Sequence, residues 1–172
     1  MDDEGFCIDI LPKVSRTFAL SIEALPESLR ASVRVSYLLC RIVDTIEDDD
    51  SLPLGERRSL FEEFVRLMED EEAAPAGLER AFEGRRGSDD FTLCQHAGAV
   101  FREFRRLPHP LADAARPHVV EMATGMREYA ERWHGRGDGL EVLRDVEDLE
   151  RYCYYVAGTV GNLLTSLFTI VE

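Results

Sequence analysis

Apolar residues recur along this chain every three to four positions, and no convincing two-residue alternation appears, so the pattern predicts an all-α protein. Ser15 is placed to cap a short helix running to about Ala24, and Pro26 suits the first turn of the next one. That helix continues through Leu38, Leu39, Ile42, Val43 and Ile46 to a carboxylate cluster. Leu52-Pro53 starts another turn, and Glu56 to Glu72 reads as amphipathic, with Leu60, Phe61, Phe64, Val65 and Met68 on one face. Residues 73–87 look looser, punctuated by Pro75, Gly77, Gly84 and Gly87. Ser88-Asp89-Asp90 reads as the cap of a helix from Phe91 to Arg106. Leu107-Pro108-His109-Pro110 breaks it, Pro110 opens the next, and Pro117 interrupts or restarts that one before Trp133. Gly135, Gly137 and Gly139 predict a flexible turn, and a last helix begins near Val146.

At 172 residues the chain has the length of one domain with a real core. Its net charge of −14, from 34 acidic against 20 basic residues, leaves no basic stripe to neutralise phosphates, which argues against nucleic acid as a partner. Cys7, Cys40, Cys94 and Cys153 are far apart and form no CxxC pair, so neither a disulfide framework nor a zinc site is expected. His96, His109, His118 and His134 lack metal-binding spacing and read as structural or surface residues. The start, Met1-Asp2-Asp3-Glu4, has neither a basic nor an apolar region, so no signal peptide is expected. Tyr152 to Val171 carries no charge and approaches spanning length. Its three tyrosines, three threonines, serine and asparagine suit a helix buried in protein better than one facing lipid.

Candidate chemistry begins at residues 37–49, YLLCRIVDTIEDD. At about 100° per residue, Tyr37, Arg41, Asp44 and Asp48 share one stripe, with Glu47 beside them. Acids at a helix C-terminus face the negative end of the macrodipole, at a cost of a few tenths to about 1 kcal/mol. A hard divalent cation such as Mg²⁺ would reverse that cost. It takes one or two protein carboxylates and fills its other positions with water and phosphate oxygens. An arginine one turn earlier can hold the same anion. The plainer alternative is a solvated helix exit.

A second segment, Arg151 to Gly161 (RYCYYVAGTVG), places two glycines inside a helix, where each costs roughly 1 kcal/mol against alanine. Either a neighbouring helix packs closely there, or a ligand chain lies against the backbone. Tyr152, Val156, Thr159, Val160 and Leu163 form a stripe able to line an apolar tunnel with a hydroxyl at its mouth. By contrast Asp145, Glu147 and Asp148 begin a helix, where negative charge is stabilising, and they read as structural.

Three segments in this order resemble the squalene/phytoene synthase family, and the squalene synthases within it most closely. They are Val14-Ser15-Arg16-Thr17-Phe18, the DxxED motif Asp44-Thr45-Ile46-Glu47-Asp48, and the tyrosine segment Tyr152 to Gly161. The resemblance implies an isoprenoid-synthase helical bundle around a central apolar cavity, with residues 1–172 as the N-terminal portion of a single all-helical domain. It implies a prenyl transferase that condenses two farnesyl diphosphates head to head to presqualene diphosphate and reduces this to squalene with NADPH. Asp44, Glu47 and Asp48 would hold Mg²⁺. Ser15, Arg16, Thr17, Tyr37 and Arg41 would hold the diphosphate, Tyr152 would be catalytic, and Phe18, Val156, Val160 and Gly161 would line the cavity. The family's second aspartate-rich motif has no counterpart before Glu172, so these residues alone are expected to be inactive and prone to aggregate. A phytoene or dehydrosqualene synthase would share the first half-reaction, and a non-catalytic helical metal-binding protein is the reading from another class. The expected setting is the cytoplasm, as a monomer, with peripheral membrane association left open.

Overall fold

The computed structural model describes residues 1–133 and 143–171, and among them every regular element is helical. The helices are α1 (Asp3–Val14), α2 (Arg16–Glu23), α3 (Glu27–Asp48), α4 (Leu54–Glu69) and α5 (Ala76–Phe82). They continue with α6 (Asp89–Gln95), α7 (Ala97–Arg106), α8 (His109–Trp133), α9 (Val146–Cys153) and α10 (Thr159–Val171), α9 and α10 being joined by a π-helical turn, Tyr154–Gly158. The predicted glycine turn at Gly135, Gly137 and Gly139, and His134, lie outside the described residues.

Two long helices organise the core. In α8 the buried positions Leu111, Ala115, Val119, Met122, Met126 and Ala130 follow the helical repeat, and this seam packs against α3, α4 and α10. In α3, Leu38, Leu39, Ile42, Val43 and Ile46 are all fully buried. Helix α3 is enclosed by α1, α2, α6 and α7 as well as by α8. Burying about 25 cal/mol per Å² of apolar surface along this helix outweighs the dipole cost of its acidic end. The acids are therefore held in place by packing elsewhere on the same helix.

Several boundaries differ from the pattern-based expectation. Helix α1 was not expected. Asp2 caps it, its carboxylate accepting from the Gly5 N–H at 2.9 Å, and Cys7, Ile10 and Leu11 anchor it in the core. Residues 73–87 contain α5, because Leu78 and Phe82 are fully buried and the Glu63 carboxylate accepts from the Gly77 N–H at 2.9 Å. The single helix expected from Phe91 to Arg106 is broken at His96, whose ring packs on Phe6 with centroids 5.1 Å apart. The Gln95 amide donates to the carbonyls of Phe82 and Arg85 (2.7 and 2.8 Å), tying that break to α5. Pro117 does not interrupt α8: it lies exposed, as does Asp113 one turn earlier, whose carbonyl loses its helical donor on the wet side.

The segment Val146–Val171 is long and apolar enough, by length and composition, to cross a membrane, and 17% of its most apolar window is buried. Thr159, Leu163 and Leu167 face the core, and the His118 ring meets the Ser166 hydroxyl at 2.9 Å. Gly161, Asn162, Thr165, Phe168 and Thr169 are exposed, as is Ile170 near the end of the helix, so the expected burial holds for one face only.

Candidate functional site

Helix α3 delivers the stripe as its periodicity predicts: Tyr37, Arg41 and Asp44 are half-buried and Asp48 is exposed at the last turn. The Arg41 guanidinium is gripped from α6. Its Nε donates to Asp90 Oδ1 at 2.8 Å and its Nη2 to Asp90 Oδ2 at 3.2 Å, while Nη1 lies 3.7 Å from Asp44 Oδ2. The Thr45 hydroxyl donates to the Arg41 carbonyl at 2.8 Å. Arg41, Thr45, Asp48 and Asp90 share a polar recess with Ser88. Asp90, which the sequence pattern marked only as part of a cap, is thus a member of the site. Its spacing from Arg41 in the chain offered no signal.

The carboxylates are poorly neutralised. Burial pushes the Asp44 carboxyl up to about 6, with Arg41 opposing and Asp48 and Asp90 adding to the rise. Glu47 is buried, its Oε1 has no hydrogen-bond partner among the described residues, and its carboxyl is pushed up to about 8. Burial comes first among the causes, then repulsion by Asp48 and Asp44, with Arg57 opposing. Asp49, by contrast, forms an ion pair with Arg85, which also donates to the Ser51 hydroxyl at 2.9 Å. The acid run is therefore divided: Asp49 is bound into the fold by Arg85, whereas burial and mutual repulsion hold Asp44 and Glu47 toward their protonated forms, a cost that a bound cation would relieve.

Tyr152 faces this charge from α9. Its phenol is pushed well above its usual range, by burial first and then by Glu47, Asp48 and Asp44. Its ring packs on Tyr129 with centroids 5.1 Å apart. Tyr129 is held in turn, its hydroxyl donating to the Asp148 carbonyl at 2.9 Å and carboxylate at 3.0 Å. Asp148 also pairs with Arg132 and accepts from the Arg144 N–H at 3.0 Å, while Asp145 caps α9. The π-helical turn follows at once. The Tyr155 ring lies against the backbone of α8 at Gly125, where a Cβ would sit 2.2 Å from the ring. Such turns inside α-helices are frequent at functional sites.

An apolar groove of about 180 Å³ runs between α2, α3 and α10, lined by Phe18, Ile22, Val33, Tyr37, Val160 and Leu164 among others. The Phe18 and Tyr37 rings are 5.1 Å apart. The Ser15 hydroxyl, which accepts from the Phe18 N–H at 3.3 Å, lies close to the Tyr37 phenol, whose ionisation burial opposes. Val156, in the π-helical turn, packs against the core and does not line this groove. Gly161 is exposed, and beyond its own turn of helix no atom of a described residue lies within 4 Å of where a Cβ would stand. Arg16 and Thr17 are exposed at the start of α2, and Arg16 borders a different groove with Ile8, Leu11 and Leu20.

No three metal-ligating side chains among the described residues form a ready cage. Two under-neutralised aspartates one turn apart, with an orphaned glutamate oxygen beside them, nonetheless fit Mg²⁺, which needs only one or two protein carboxylates. A family model described as squalene/phytoene synthase matches residues 11–172. The chain is 34% identical over 167 residues to the probable squalene synthase of Neurospora crassa, covering 97% of this chain and 33% of that one. Against the squalene synthase of Schizosaccharomyces pombe the identity is 32% over 167 residues, covering 94% and 34%. A solved complex of TcSQS with the ligand BPH1237 superposes with a TM-score of 0.80 at 31% identity, covering 98% of this chain and 45% of that one. The chain thus spans about a third of the length of these two curated relatives.

Proposed function

The chain belongs to the squalene/phytoene synthase family, and from that premise we propose that it carries the first diphosphate site of a squalene-forming enzyme. Two farnesyl diphosphates would condense head to head to presqualene diphosphate, and NADPH would reduce this to squalene. The reduction rests on the family resemblance alone, and no residue here is assigned to it. One observation carries the reading: the acidic turn Asp44–Asp48, close enough to the Tyr152 phenol to oppose its ionisation, ends the same helix whose Tyr37 and Cys40 line an apolar groove.

Magnesium held by Asp44 and Asp48, with Glu47 adjacent, would neutralise and polarise the departing diphosphate. Arg41 presents guanidinium donors beside those carboxylates, and a planar fork suits a phosphate oxygen pair. Tyr37 and Ser15 add hydroxyl donors, and the resemblance adds Arg16 and Thr17, which stand exposed at the start of α2 and would have to turn toward the diphosphate to contact it. Departure of diphosphate leaves an allylic cation, which the double bond of the second farnesyl chain attacks, with loss of a proton closing the cyclopropane. Phe18 and Val160 keep water from that cation. Tyr152 stays protonated at neutral pH because burial and nearby carboxylates disfavour its phenolate. A neutral ring facing the reacting carbons stabilises positive charge, and its hydroxyl oxygen can relay the departing proton to the released diphosphate, which serves as the base.

The decisive experiment expresses the complete reading frame and supplies labelled farnesyl diphosphate with Mg²⁺. Presqualene diphosphate without NADPH and squalene with it are expected. Product only from geranylgeranyl diphosphate would make it a phytoene synthase. No Mg²⁺-dependent diphosphate binding, and no effect of Asp44→Asn, would make it a non-catalytic helical protein. Residues 1–172 alone should form no squalene, and robust turnover by them would refute that part.

A further inference from the structure

The site assigned to Arg41 requires more than its presence on α3. An arginine side chain has four rotatable bonds, and fixing it on an anion costs about 0.5–1.5 kcal/mol in lost rotamer freedom. Here that freedom is already restricted before any ligand arrives. Asp90 takes the Nε–Nη2 edge of the fork through two hydrogen bonds (2.8 and 3.2 Å), and the remaining Nη1 is turned toward Asp44. Asp90 is itself fixed: its backbone N–H donates to the Ser88 hydroxyl, which donates back to Asp90 Oδ2, both at 3.1 Å. Only one edge of the guanidinium stays available, and it points at the carboxylates that would share the diphosphate.

We infer that Asp90, assisted by Ser88, is a positioning residue that presents the free edge of Arg41 to the substrate diphosphate. The inference rests on the function proposed above and deepens it. It also resolves an electrostatic puzzle, because a carboxylate this near an anion site repels the anion. Asp90 therefore has two opposed effects: repulsion, which weakens diphosphate binding whether or not Arg41 is present, and orientation, which strengthens binding only through Arg41.

That difference in routing supplies the test. The complete protein, Asp90→Asn, Arg41→Ala and the double variant are titrated calorimetrically with inorganic diphosphate in saturating Mg²⁺, with thermal melting recorded for each. In the wild-type background Asp90→Asn should weaken binding about two- to tenfold, the factor matching the rotamer cost. In the Arg41→Ala background the same change should leave binding unchanged or tighten it, a coupling that independent sites would not show. Equal effects in both backgrounds, or tightening in the wild-type background, would overturn the positioning role. A binding loss that tracks only a lowered melting temperature, with no coupling to Arg41, would overturn it equally. If the wild-type protein binds no diphosphate, the function itself fails, and a binding wild type with an inert Asp90 removes this inference alone.

Discussion

Replacing Gly161 by alanine separates the two reasons a glycine can sit inside a helix. The residue is the third of α10, and among the described residues outside its own turn a Cβ there meets nothing within 4 Å. Close packing therefore does not explain it. Relief of the glycine penalty gives about 0.8–1.0 kcal/mol of stabilisation. For a chain of this size that is roughly 2–4 °C in melting temperature. If the open space is the path of a prenyl chain, the added methyl occupies it, and squalene formation should fall while stability rises. Stability is read by guanidinium unfolding of the 172-residue chain and of the complete protein, and activity by squalene yield from farnesyl diphosphate in the complete protein. Gly125→Ala is the control with the opposite geometry. Its Cβ would overlap the Tyr155 ring, at 2.2 Å from the nearest ring carbon, so overpacking of about 1–3 kcal/mol should outweigh the gain in helix propensity. A Gly161→Ala protein that is both more stable and fully active would refute the assignment of Gly161 to the cavity wall.

Asp44→Asn and Arg41→Ala should each lower Mg²⁺-dependent diphosphate affinity at least tenfold in the complete protein, as loss of a charge-assisted contact does; calorimetry checks this. Glu47 has a folded-state carboxyl pushed up to about 8, against an ordinary 4.5, so the folded state holds a proton that the unfolded chain has lost between those values. Stability then declines as pH rises through that window, and Glu47→Gln should raise stability by a few kcal/mol at pH 8.5 and little at pH 4. Added Mg²⁺ should stabilise the wild type at pH 8.5 more than the variant, as read by chemical unfolding. Tyr129→Phe removes the tie to Asp148 while leaving the ring, and it should reduce kcat for squalene with little change in KM, since Tyr152 loses its support and not its chemistry. Cys153 is exposed, whereas burial pushes the thiols of Cys7, Cys40 and Cys94 up to about 12. Ellman's reagent should therefore titrate one thiol in the native chain and four after denaturation.

Periodicity and caps made α2, α3, α4 and the start of α9 legible, and left α1 and α5 obscure. Helix α3 could be read from its apolar repeat because its own residues bury it, and the Tyr37–Arg41–Asp44–Asp48 stripe followed from geometry alone. Helix α5 could not, since what orders it is the Glu63 carboxylate and the side chain of Gln95, contacts made by distant parts of the chain. The same holds for the break at His96, which Phe6 supports from α1. Pro117 misled because proline removes one hydrogen bond, and a wet helix face tolerates that loss.

The same distinction sorts the functional residues. Asp44, Glu47 and Asp48 are close in sequence, so their shared charge was visible, and only the fold shows that Asp49, next in line, is neutralised by Arg85. What tertiary structure adds is the supporting layer: Asp90 behind Arg41, Tyr129 and Asp148 behind Tyr152, Gly125 beneath Tyr155. None of these carries a motif, because a support needs only one correct contact, which many sequences can supply. The π-helical turn belongs to that layer too. It lies between Tyr152, which is electrostatically coupled to the carboxylates, and Leu163 and Leu167 in the buried seam. The acids and tyrosine specify a chemistry, and the contacts behind them specify its geometry. Substitutions in the second group should therefore alter turnover at least as much as affinity.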